Sequence, residues 1–573
     1  MRTTATRRSG VVVKLLALFV VPALLAAACG GDDDDGGGGG GGQAEPSGGA
    51  STTTPEDEGE PQTGGTITYG VEADTSNPWT PQRSTCAISC YIVFNTVYDP
   101  LVLPDENGDP QPNLLESFEP NEDFTEWTLT PREGITFHDG TPFDAEAIRY
   151  NIQDQLDSAL TQAALKSVEG VALNADGTAA VVRMKESWSG FPIFLAAQLG
   201  YMASPTWRQA TKDGTASETE PVGTGPFVFD EYVVGSHFRA TRNDNYWKQD
   251  PEGRELPFAD AVEVRIVNEA QTRINGLESG QLDIAHTSNG QLVDRLREDD
   301  QLDEIEIDRF GETNYIMLNV DEGEGSNANP AILDVDVRRA LAMAIDKQQL
   351  IDTVGGGVGR PANGPFPPGS VGHLEDTGYP EYDPEEAQRL VTAYEEENEP
   401  ISITYTTTND SANRRTAEVL QGMWEAVGIE MRIDQTEQGQ FILDSAFGEM
   451  QAWGWRSHGG YDPDQQSVWW HSSSYAPAGS ISLNFNHFQD PVIDENFDTI
   501  RQSGDEEERK EAAEAINRRF GEQVYDLWTS WAVWSIGHKP EINGIAAGAL
   551  PDGTPSTISG GAAHQIAQIW KES

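Results

Sequence analysis

Segments with strand-like and helix-like periodicity alternate along almost the whole chain, from residue 64 to about residue 540. Residues 262–286 contain a strand, an amphipathic helix, the terminating Gly280 and a second strand, as in a βαβ unit. Residues 335–354 have the pattern of one amphipathic helix that ends at a run of glycines. The Trp-rich residues 525–536 are expected to form one apolar strand. This alternation predicts an α/β fold, and the length of 573 residues predicts several lobes.

The first 28 residues have the pattern of an export signal. Basic residues precede an apolar run, Leu15 to Ala28, and small residues stand directly before Cys29. A cysteine at that place resembles the lipid-attachment site of bacterial lipoproteins, where the new N-terminal Cys receives diacylglycerol. The alternative is a signal-anchor helix that stays in the membrane, but the run is short and Asp32–Asp35 follow at once. We expect residues 1–28 to be a lipoprotein signal peptide and Cys29 to be lipidated.

Residues 29–65 contain a Gly- and Asp-rich stretch and then Ser, Thr, Pro and acidic residues, with almost no apolar side chains. Such a segment cannot bury enough surface to offset the entropy lost on ordering, so it is expected to be a flexible linker. No later stretch of the sequence is long and apolar enough to cross a bilayer. The expected attachment to the membrane is therefore through the N-terminal lipid only.

The chain is strongly acidic. It has 94 Asp and Glu residues against 37 Lys and Arg residues, a formal net charge of −57. Nucleic-acid binding and electrostatic adhesion to anionic membranes both require a basic surface. We therefore expect no nucleic-acid partner, whereas an acidic surface tolerates cationic ligands.

Besides Cys29, the chain has two cysteines, Cys86 and Cys90. Two neighbouring thiols outside the cytoplasm usually pair, and this spacing permits a disulfide if the chain bends near Cys86, at the start of a helix. Two free or buried thiols are the alternative. A metal site would need further ligands, which this segment does not supply. We expect a disulfide.

Sequence patterns of catalysis are missing. The chain contains no G-x-S-x-G, H-E-x-x-H, C-x-x-C or G-x-x-x-x-G-K-[ST] pattern, and its nine His show no metal-ligand spacing. The acidic spacing in residues 105–116 superficially matches a calcium loop. Pro110, however, stands where such a loop needs a Gly with positive φ, so a hairpin turn is expected. The sequence thus predicts no enzyme, with no catalytic residues, no metal site and no cofactor.

Several sequence blocks resemble, in their order, one known family. They are VYDPLVLPDENGDPQPNLLESFE (97–119), TLTPREGITFHDGTPFDAEAI (128–148), VGTGPFVF (222–229), TRNDNYW (241–247), DVRRALAMAIDKQQLI (336–351), YDPEEAQRLV (382–391) and VGIEMRI (427–433). Together they resemble the bacterial extracellular solute-binding proteins of family 5, the dipeptide-, oligopeptide- and nickel-binding components of ABC importers. The resemblance covers about residues 64–540.

The resemblance implies an α/β, two-lobed fold like that of periplasmic binding proteins (type II, cluster C-like), with an extra N-terminal subdomain and a hinge. The chain is expected to cross between the lobes near Gly311 and near His538. The expected division is lobe I in 66–95, 215–311 and 539–573, the extra subdomain in 96–214, and lobe II in 312–538.

The resemblance also implies the position of the ligand site. The residues expected to line the cleft are Trp453, Gly454, Trp455, Arg456, His458 and Asp462. In peptide-binding members an Asp in this segment holds the α-ammonium of the peptide, and the matching position here is His458 or Gly459. We therefore expect either that Asp462 or Asp464 replaces this Asp, or that the ligand lacks a free amino terminus. Of the tryptophans in this region, Trp455 is expected to contact the ligand, and packing in the core is the alternative for Trp453, Trp455, Trp469 and Trp470.

These expectations describe a lipid-anchored, extracytoplasmic receptor in the periplasm or cell-wall space that captures a peptide or a similar small solute between two lobes. It is expected to act as a monomer and to deliver the solute to ABC permease subunits. Separate ATPase subunits supply the energy, since this chain has no nucleotide motif. A receptor of the same fold for a sugar, an opine, a metal chelate or another cation is the first alternative. An envelope enzyme or chaperone is a more remote one.

Overall fold

The structure is a computed structural model. It describes residues 59–74, 79–84, 88–158, 161–162, 165–409, 411–457, 460–558 and 563–572. The expected signal peptide, most of the expected linker, Cys29, Cys86 and His458 lie outside the described residues. Within the described ranges, no helix is both long and apolar enough to span a membrane.

The secondary structure alternates between strands and helices along the chain. The first elements are β1 (Thr66–Val71), α1 (Ile88–Val97), β2 (Val102–Pro104), β3 (Pro110–Pro112), β4 (Leu115–Pro120), β5 (Glu126–Pro131), α2 (Ala145–Asp157), β6 (Val168–Leu173), β7 (Ala180–Met184), α3 (Phe191–Phe194) and α4 (Pro205–Lys212). The middle elements are β8 (Phe227–Val233), β9 (His237–Arg242), β10 (Ala261–Ile266), α5 (Ala270–Glu278), β11 (Ile284–Thr287), α6 (Gly290–Arg297), β12 (Asp303–Ile307), β13 (Thr313–Leu318), α7 (Pro330–Leu333), α8 (Val335–Met343), α9 (Lys347–Val354) and β14 (Arg360–Pro361).

The last elements belong mostly to the second large sheet and its helices. They are α10 (Pro384–Glu395), β15 (Ser402–Thr408), α11 (Ser411–Ala426), β16 (Glu430–Thr436), α12 (Gln438–Ala446), β17 (Ala452–Ser457), α13 (Ser467–Trp470), α14 (Pro491–Gln502), α15 (Glu506–Gln523), β18 (Asp526–Trp531), β19 (Trp534–His538), β20 (Ile542–Asn543) and β21 (Trp570–Lys571). Short 3-10 helices lie at Gln198–Gly200, Pro463–Gln466 and Ser472–Ser474.

Three sheets organise these elements. A seven-stranded sheet has the order β12-β19-β11-β1-β10-β9-β8, a six-stranded sheet has the order β14-β18-β13-β17-β15-β16, and a four-stranded sheet has the order β4-β5-β7-β6. In the first, β1 runs parallel to both β10 and β11. In the second, β17 runs antiparallel to β13 and parallel to β15. The fold is therefore a two-lobed α/β fold, with lobe I built on the seven-stranded sheet, lobe II on the six-stranded sheet and the extra subdomain on the antiparallel four-stranded sheet.

Each of the three sheets has its own hydrophobic core. The core of the extra subdomain is formed by buried residues between Leu101 and Met202. The core of lobe II is formed by residues between Tyr315 and Trp531. Lobe I draws its core from several chain segments, from Ile67 to Ile569. Bodies with separate cores can move relative to one another without unfolding.

The chain crosses between the two large sheets twice. It leaves the seven-stranded sheet after Ile307 and enters the six-stranded sheet at Thr313. It leaves the six-stranded sheet after Trp531 and enters the seven-stranded sheet again at Trp534. These two short crossings form the hinge.

The second crossing differs from the expectation. The expected position near His538 is too late, because β19 already pairs with β11 and β12 of lobe I. The single strand expected over residues 525–536 is also wrong, since Ala532 and Val533 divide it between two sheets. An apolar, Trp-rich run has no local signal that distinguishes one strand from two.

Local sequence signals fixed several helix ends and turns. The Asp144 side chain accepts a hydrogen bond from the Ala147 amide at 3.0 Å and caps α2. The Asp105 carboxylate accepts from the amides of Asn107 and Asp109 at 2.8 and 3.1 Å. These bonds close the turn between β2 and β3, which confirms the hairpin.

The helix expected over residues 335–354 is interrupted. The structure has two helices, α8 and α9, because the Asp346 side chain accepts from the Gln349 amide at 2.9 Å and starts a new helix. An Asp side chain that bonds to a backbone amide two or three residues later favours the start of a new helix over a continuous helix at that position. At the end of α5, Gly280 has φ of 75°, as a glycine that terminates a helix requires.

Cys90 lies on α1 and is completely buried in the core of lobe I. It is disulfide-bonded. Because Cys86 lies outside the described residues, the pairing of these two cysteines stays a prediction.

Candidate functional site at the seam between the lobes

β17 carries most of the residues that the sequence assigned to the ligand cleft. It lies inside the six-stranded sheet, between β13 and β15. Trp453 on this strand is completely buried in the core of lobe II, and Trp469 and Trp470 lie in the same core. A side chain on a central strand packs against the helices that cover the sheet, so Trp453 is a core residue and we remove it from the candidate site.

Trp455 lies at the edge of the same core and is half-buried. Its ring stacks on Phe441 with a centroid distance of 6.1 Å and an interplanar angle of 12°, and it meets Phe485 edge-on at 5.3 Å. The neighbouring Gly454 leaves room for the Tyr405 hydroxyl, which would lie 2.7 Å from a Cβ at that position. Both residues thus have a packing role, and ligand contact by Trp455 stays a prediction.

Arg456 joins the two lobes. From lobe II, its Nε lies 3.1 Å from the Glu312 carboxylate in the first crossing, and its Nη1 donates to the Ser288 hydroxyl of lobe I at 3.2 Å. Its guanidinium also lies 5.6 Å from the ring centroid of Trp534, the first residue of β19. The side chain is 20% exposed. Of the residues expected to line the cleft, Arg456 is the one whose described contacts span both lobes.

Glu312 is the acceptor at the centre of these contacts. Its side chain is 2% exposed, and Oε2 accepts from Trp534 Nε1 at 3.0 Å as well as from Arg456. A buried carboxylate is stable only if donors satisfy it, and here one cation and one indole do so. The contacts of Glu312 with Arg456 and Trp534 therefore connect both crossings of the hinge to β17.

A second acid and a second cation lie beside this group. Glu72 follows β1 directly, and its Oε2 lies 3.9 Å from Arg273 Nη2. Burial raises the pKa of Glu72, while Arg456 and Arg273 lower it and Glu312 raises it further. These interactions place Glu72 close to the contacts of Arg456. We call Glu72, Arg273, Glu312, Arg456 and Trp534 the seam cluster.

His286 lies behind the seam cluster, on β11. It is completely buried between the rings of Tyr69 and Trp534, with centroid distances of 5.9 and 5.5 Å. Within the described part of the chain, neither ring nitrogen has a hydrogen-bond partner. Burial, followed by the charge of Arg273, holds the pKa of His286 well below its usual value. The imidazole is therefore neutral and acts as part of the apolar wall.

Residues 460–466 follow β17 along the chain and lie at the border of lobe II. A small pocket lies between this segment, the first crossing at Gly311 and the loop of residues 365–367. Ser457 and Asp462 are among its lining residues. His458 lies outside the described residues, so its expected role stays a prediction.

Tyr461 connects this segment to the extra subdomain and the hinge. Its ring lies 5.1 Å from that of Phe310, and both rings face Gly108 in the β2–β3 turn, where a Cβ would come within 3.0–3.1 Å of them. Phe310 has φ of 51°, a left-handed conformation that costs a bulky residue roughly 1–2 kcal/mol. Contacts on both sides hold this strained residue in the crossing.

The extra subdomain contacts lobe II at a second place. Trp188 Nε1 donates to Asp464 Oδ2 at 2.8 Å, and the Ser189 amide and hydroxyl donate to the Arg501 carbonyl at 2.7 and 3.0 Å. Arg501 donates to Asp464 Oδ1 from Nε and Nη2 at 3.1 and 2.8 Å, and its guanidinium lies 5.1 Å from a ring centroid of Trp188. Asp464 is completely buried. We call Trp188, Ser189, Asp464 and Arg501 the clasp.

Asp462 lies next to the clasp and is also paired. Arg509 Nη2 donates to its Oδ2, while its Oδ1 accepts from the Asp464 amide at 2.8 Å. Burial raises the pKa of Asp462, Arg509 lowers it, and the neighbouring Asp464 raises it. Gly190 lies against the pair, since a Cβ there would be 3.0 Å from Arg509 Nη2. Both acids proposed as replacements for the missing ammonium-binding Asp thus already have arginine partners.

The sequence argument missed Glu72, Arg273, Glu312 and Trp534. One signal was present, since Glu72 lies shortly after the alternating residues 66–69, which favour a strand, and ligands of open α/β sheets bind at the carboxyl ends of the strands. No local sequence pattern indicated Glu312 or Trp534, which the two crossings bring together. Among the described residues, no group of three or more His, Cys, Asp and Glu side chains is arranged to hold a metal ion.

Comparison with known proteins agrees with this architecture. The family model of the bacterial extracellular solute-binding proteins, family 5 (middle), matches residues 109–478. The chain belongs to this family. The match includes the first crossing, β17 and the segment that leads to the clasp.

Relatives within family 5 differ in the ligands that their names state. The di/tripeptide-binding protein 2 of Pseudomonas aeruginosa (strain UCBPP-PA14) is 27% identical over 440 residues, 72% of this chain and 79% of that protein. The nickel-binding periplasmic protein of Escherichia coli (strain K12) is 25% identical over 512 residues, 84% and 91% of the two chains. A solved structure, the ABC transporter-associated periplasmic binding protein of Helicobacter pylori in complex with peptide STSA, has a TM-score of 0.74 at 18% identity and covers 89% of this chain and 99% of that chain. That likeness shows the fold.

Proposed function

We propose that this chain is the solute-binding component of an ABC importer, which captures a peptide or a similar small solute between its lobes and delivers it to a permease. The observation that carries the proposal is the seam cluster, in which charged side chains of both lobes meet at the hinge. A solute bound there contacts both lobes at once, so it favours the closed arrangement by its differential affinity for it. Family membership supports the same role.

Peptides are the favoured ligands. One relative is a di/tripeptide-binding protein, and a structural neighbour is in complex with a peptide. The seam cluster offers both acidic and basic groups, which suit the two charged ends of a peptide. The half-buried Trp455 would add a stacking surface. A non-peptide solute such as a metal chelate is the second candidate, favoured by the nickel-binding relative.

The protein works outside the cytoplasm, anchored to the cell membrane by a lipid on Cys29, and acts as a monomer. The signal pattern before Cys29 and the periplasmic relative support the location. The permease and its ATPase subunits are separate chains, since this sequence has no nucleotide-binding motif. Binding without turnover follows from this role.

Native mass spectrometry of the purified protein tests the proposal directly, because a closed receptor retains its solute. Trialanine and the nickel–histidine complex are then titrated onto protein that was unfolded, dialysed and refolded. A bound solute should raise the melting temperature by mass action and reduce the radius of gyration in small-angle scattering. Recovery of a chemically altered ligand, at a rate proportional to the protein concentration, would contradict a binding role.

The lipid anchor has its own test. The full-length protein expressed in a bacterium should partition into the detergent phase, whereas Cys29→Ala should remain unprocessed or be released. Cys29→Ser is the matched control, since it keeps the size but cannot form the thioether. Equal partition of all three proteins would contradict the anchor without affecting the binding role.

A further inference from the structure

Glu72 occupies the position in lobe I from which a side chain can reach the cleft. β1 lies at the centre of the seven-stranded sheet, and Glu72 is the first residue after it. β11 runs parallel to β1, so Ser288 after β11 lies at the same edge of the sheet as Glu72. Ser288 is contacted there by Arg456 of lobe II. This edge of lobe I therefore faces lobe II.

The carboxylate of Glu72 has unused capacity to accept hydrogen bonds. Among the described residues its one close partner is Arg273, at 3.9 Å, and no hydrogen bond to its side chain is formed. Arg273 is already committed, because it donates to the carbonyls of His286 and Val267 at 3.0 and 2.6 Å. An ionised carboxylate has about four acceptor positions. Glu72, with 31% of its side chain exposed, therefore presents a negative charge that the protein leaves largely unsatisfied.

The other acids near the two lobes differ from Glu72 in this respect. Glu312 accepts from both Arg456 and Trp534. Asp462 is paired with Arg509, and Asp464 is paired with Arg501 and Trp188. Asp74, two residues after Glu72, accepts from the Tyr232 hydroxyl and the Gly235 amide.

We propose that the Glu72 carboxylate binds the ammonium group of the solute, since Asp462 and Asp464 are already paired with arginines. The inference rests on the proposed function, since it names the chemical class of solute for the same cleft. An ammonium enclosed between two lobes needs an anionic partner, because burial of an unpaired charge is strongly unfavourable. Arg456 stands across the seam, so the solute lies between the Glu72 carboxylate and a cation that Glu312 holds in place.

Two sources can supply such an ammonium, the amino terminus of a peptide and a lysine side chain. Calorimetric titration with trialanine, N-acetyl-trialanine and N-acetyl-lysyl-alanine distinguishes them. Wild-type protein should bind at least one of the two ammonium-bearing peptides tenfold or more tightly than N-acetyl-trialanine, about 1.4 kcal/mol. Glu72→Gln should remove this preference while its melting temperature stays close to that of the wild type.

Two further variants make the test specific. Glu72→Asp keeps the charge and should retain part of the preference. Asp74→Asn removes a neighbouring acid that already has partners and should retain the full preference.

Each other outcome is decisive. If Glu72→Gln keeps the wild-type preference, or if the wild-type protein binds all three peptides equally, Glu72 does not bind the ammonium, while peptide binding stands. If the wild-type protein binds none of the peptides but binds the nickel–histidine complex, ammonium binding by Glu72 and peptides as ligands are both contradicted. The role in solute binding remains. Binding of none of these probes, with no solute retained in native mass spectrometry, overturns the proposed function itself.

Discussion

Lobe II contacts the extra subdomain at the clasp and lobe I at the seam cluster, and these two contacts differ in how completely their charges are satisfied. In the clasp, the Asp464 carboxylate accepts from an arginine fork and an indole N–H, and it is completely buried. In the seam cluster, Glu312 is satisfied in the same way but Glu72 is not. A contact whose groups are all paired within the protein serves to hold parts of the chain together. A contact with an unsatisfied acid is suited to a ligand, because the ligand can supply the missing donor.

The contacts also differ in what they connect. The clasp is formed by the extra subdomain and lobe II, whereas the seam cluster is formed by lobe I, lobe II and both crossings of the hinge. Along the chain, Asp464 of the clasp follows Arg456 of the seam cluster by eight residues. In the proposed function, closure around a solute engages the two contacts together, and variants at each should have different effects.

Arg501→Ala should have the largest effect. It leaves Asp464 buried without its cation, and removal of one partner of a buried pair typically costs about 3–5 kcal/mol. We expect a loss of unfolding free energy in that range, measured by urea denaturation. Arg389→Ala, which breaks the exposed pair with Glu386, is the matched control and should cost less than about 1 kcal/mol. Equal losses for the two variants would show that the clasp is not a tightly held pair.

Arg456→Ala should have a smaller effect on stability, because Arg456 contacts Glu312 through Nε, whereas Arg501 donates to Asp464 from both Nε and Nη2. Loss of one hydrogen bond between charged groups costs about 1.5–3 kcal/mol, and we expect about 2 kcal/mol in urea denaturation. The ligand-free variant should also show a larger radius of gyration, since the contact to Ser288 is lost. Arg456→Lys restores the charge without the fork and should recover only part of both values. An unchanged radius of gyration would mean that this contact does not hold the lobes together.

Trp188→Phe tests the clasp as a contact between bodies. It keeps most of the ring but removes the N–H that bonds Asp464, so closure should be weakened by about 1.5 kcal/mol. We expect about tenfold weaker binding of the solute that native mass spectrometry identifies. Trp207→Phe is the control, because its N–H donates to the Ser217 carbonyl away from the clasp. Equal affinities of the two variants for the solute would show that the clasp does not contribute to closure.

The pH dependence should give the smallest effect and distinguish the two contacts further. Burial raises the pKa of Glu72, and the protonated acid cannot pair with an ammonium, so binding should weaken as the pH falls through this raised pKa. The facing arginines, Arg273 and Arg456, stay charged throughout, and Glu312 is held between its own donors. Calorimetric titration of trialanine from pH 8 down to about pH 4, through the ordinary carboxyl range, measures this dependence. In Glu72→Gln the affinity for trialanine should change less with pH. If it changes as much as in the wild type, another group causes the pH dependence.

Another buried acid provides a test of stability that does not involve the ligand. Burial raises the pKa of Asp526 to about 8, so the folded protein holds a proton there that the unfolded chain releases above its ordinary carboxyl pKa. Unfolding free energy contributed by this group should therefore decrease as the pH rises from about 4 to 8. Asp526→Asn should flatten that part of the profile in urea denaturation. If the unfolding free energy of the variant instead falls more steeply with rising pH, the direction assigned to the Asp526 contribution is wrong.

Much of the fold was predictable because its signals are local. The cap at Asp144, the turn at Asp105 and the glycine after α5 each depend on hydrogen bonds or backbone angles within a few residues. The order of blocks along the chain was enough to predict the family and its two lobes. Both errors in secondary structure fell where one pattern is compatible with two structures, at the break before Asp346 and at the division of residues 525–536.

The candidate site was predictable only in part. The sequence pointed to β17, and Arg456 on that strand does contact both lobes. It also assigned Trp453 to the cleft, although the strand directs this ring into the core. Whether a given residue of a strand faces the core or the cleft depends on what covers each face of the sheet, which the strand's own sequence does not specify.

The sequence by itself determined the class of fold, the expected export signal, the acidic character of the chain and the segment that is expected to border the cleft. Only the tertiary structure decided which charges meet there. Glu72, Glu312 and Arg456 come from distant parts of the chain, and the two hinge crossings place them together. Local hydrogen bonds are fixed by neighbours in sequence, whereas the pairing of charges depends on how lobes approach in space. For that reason the paired acids, Asp462 and Asp464, and the unsatisfied Glu72 could be told apart only in the folded chain.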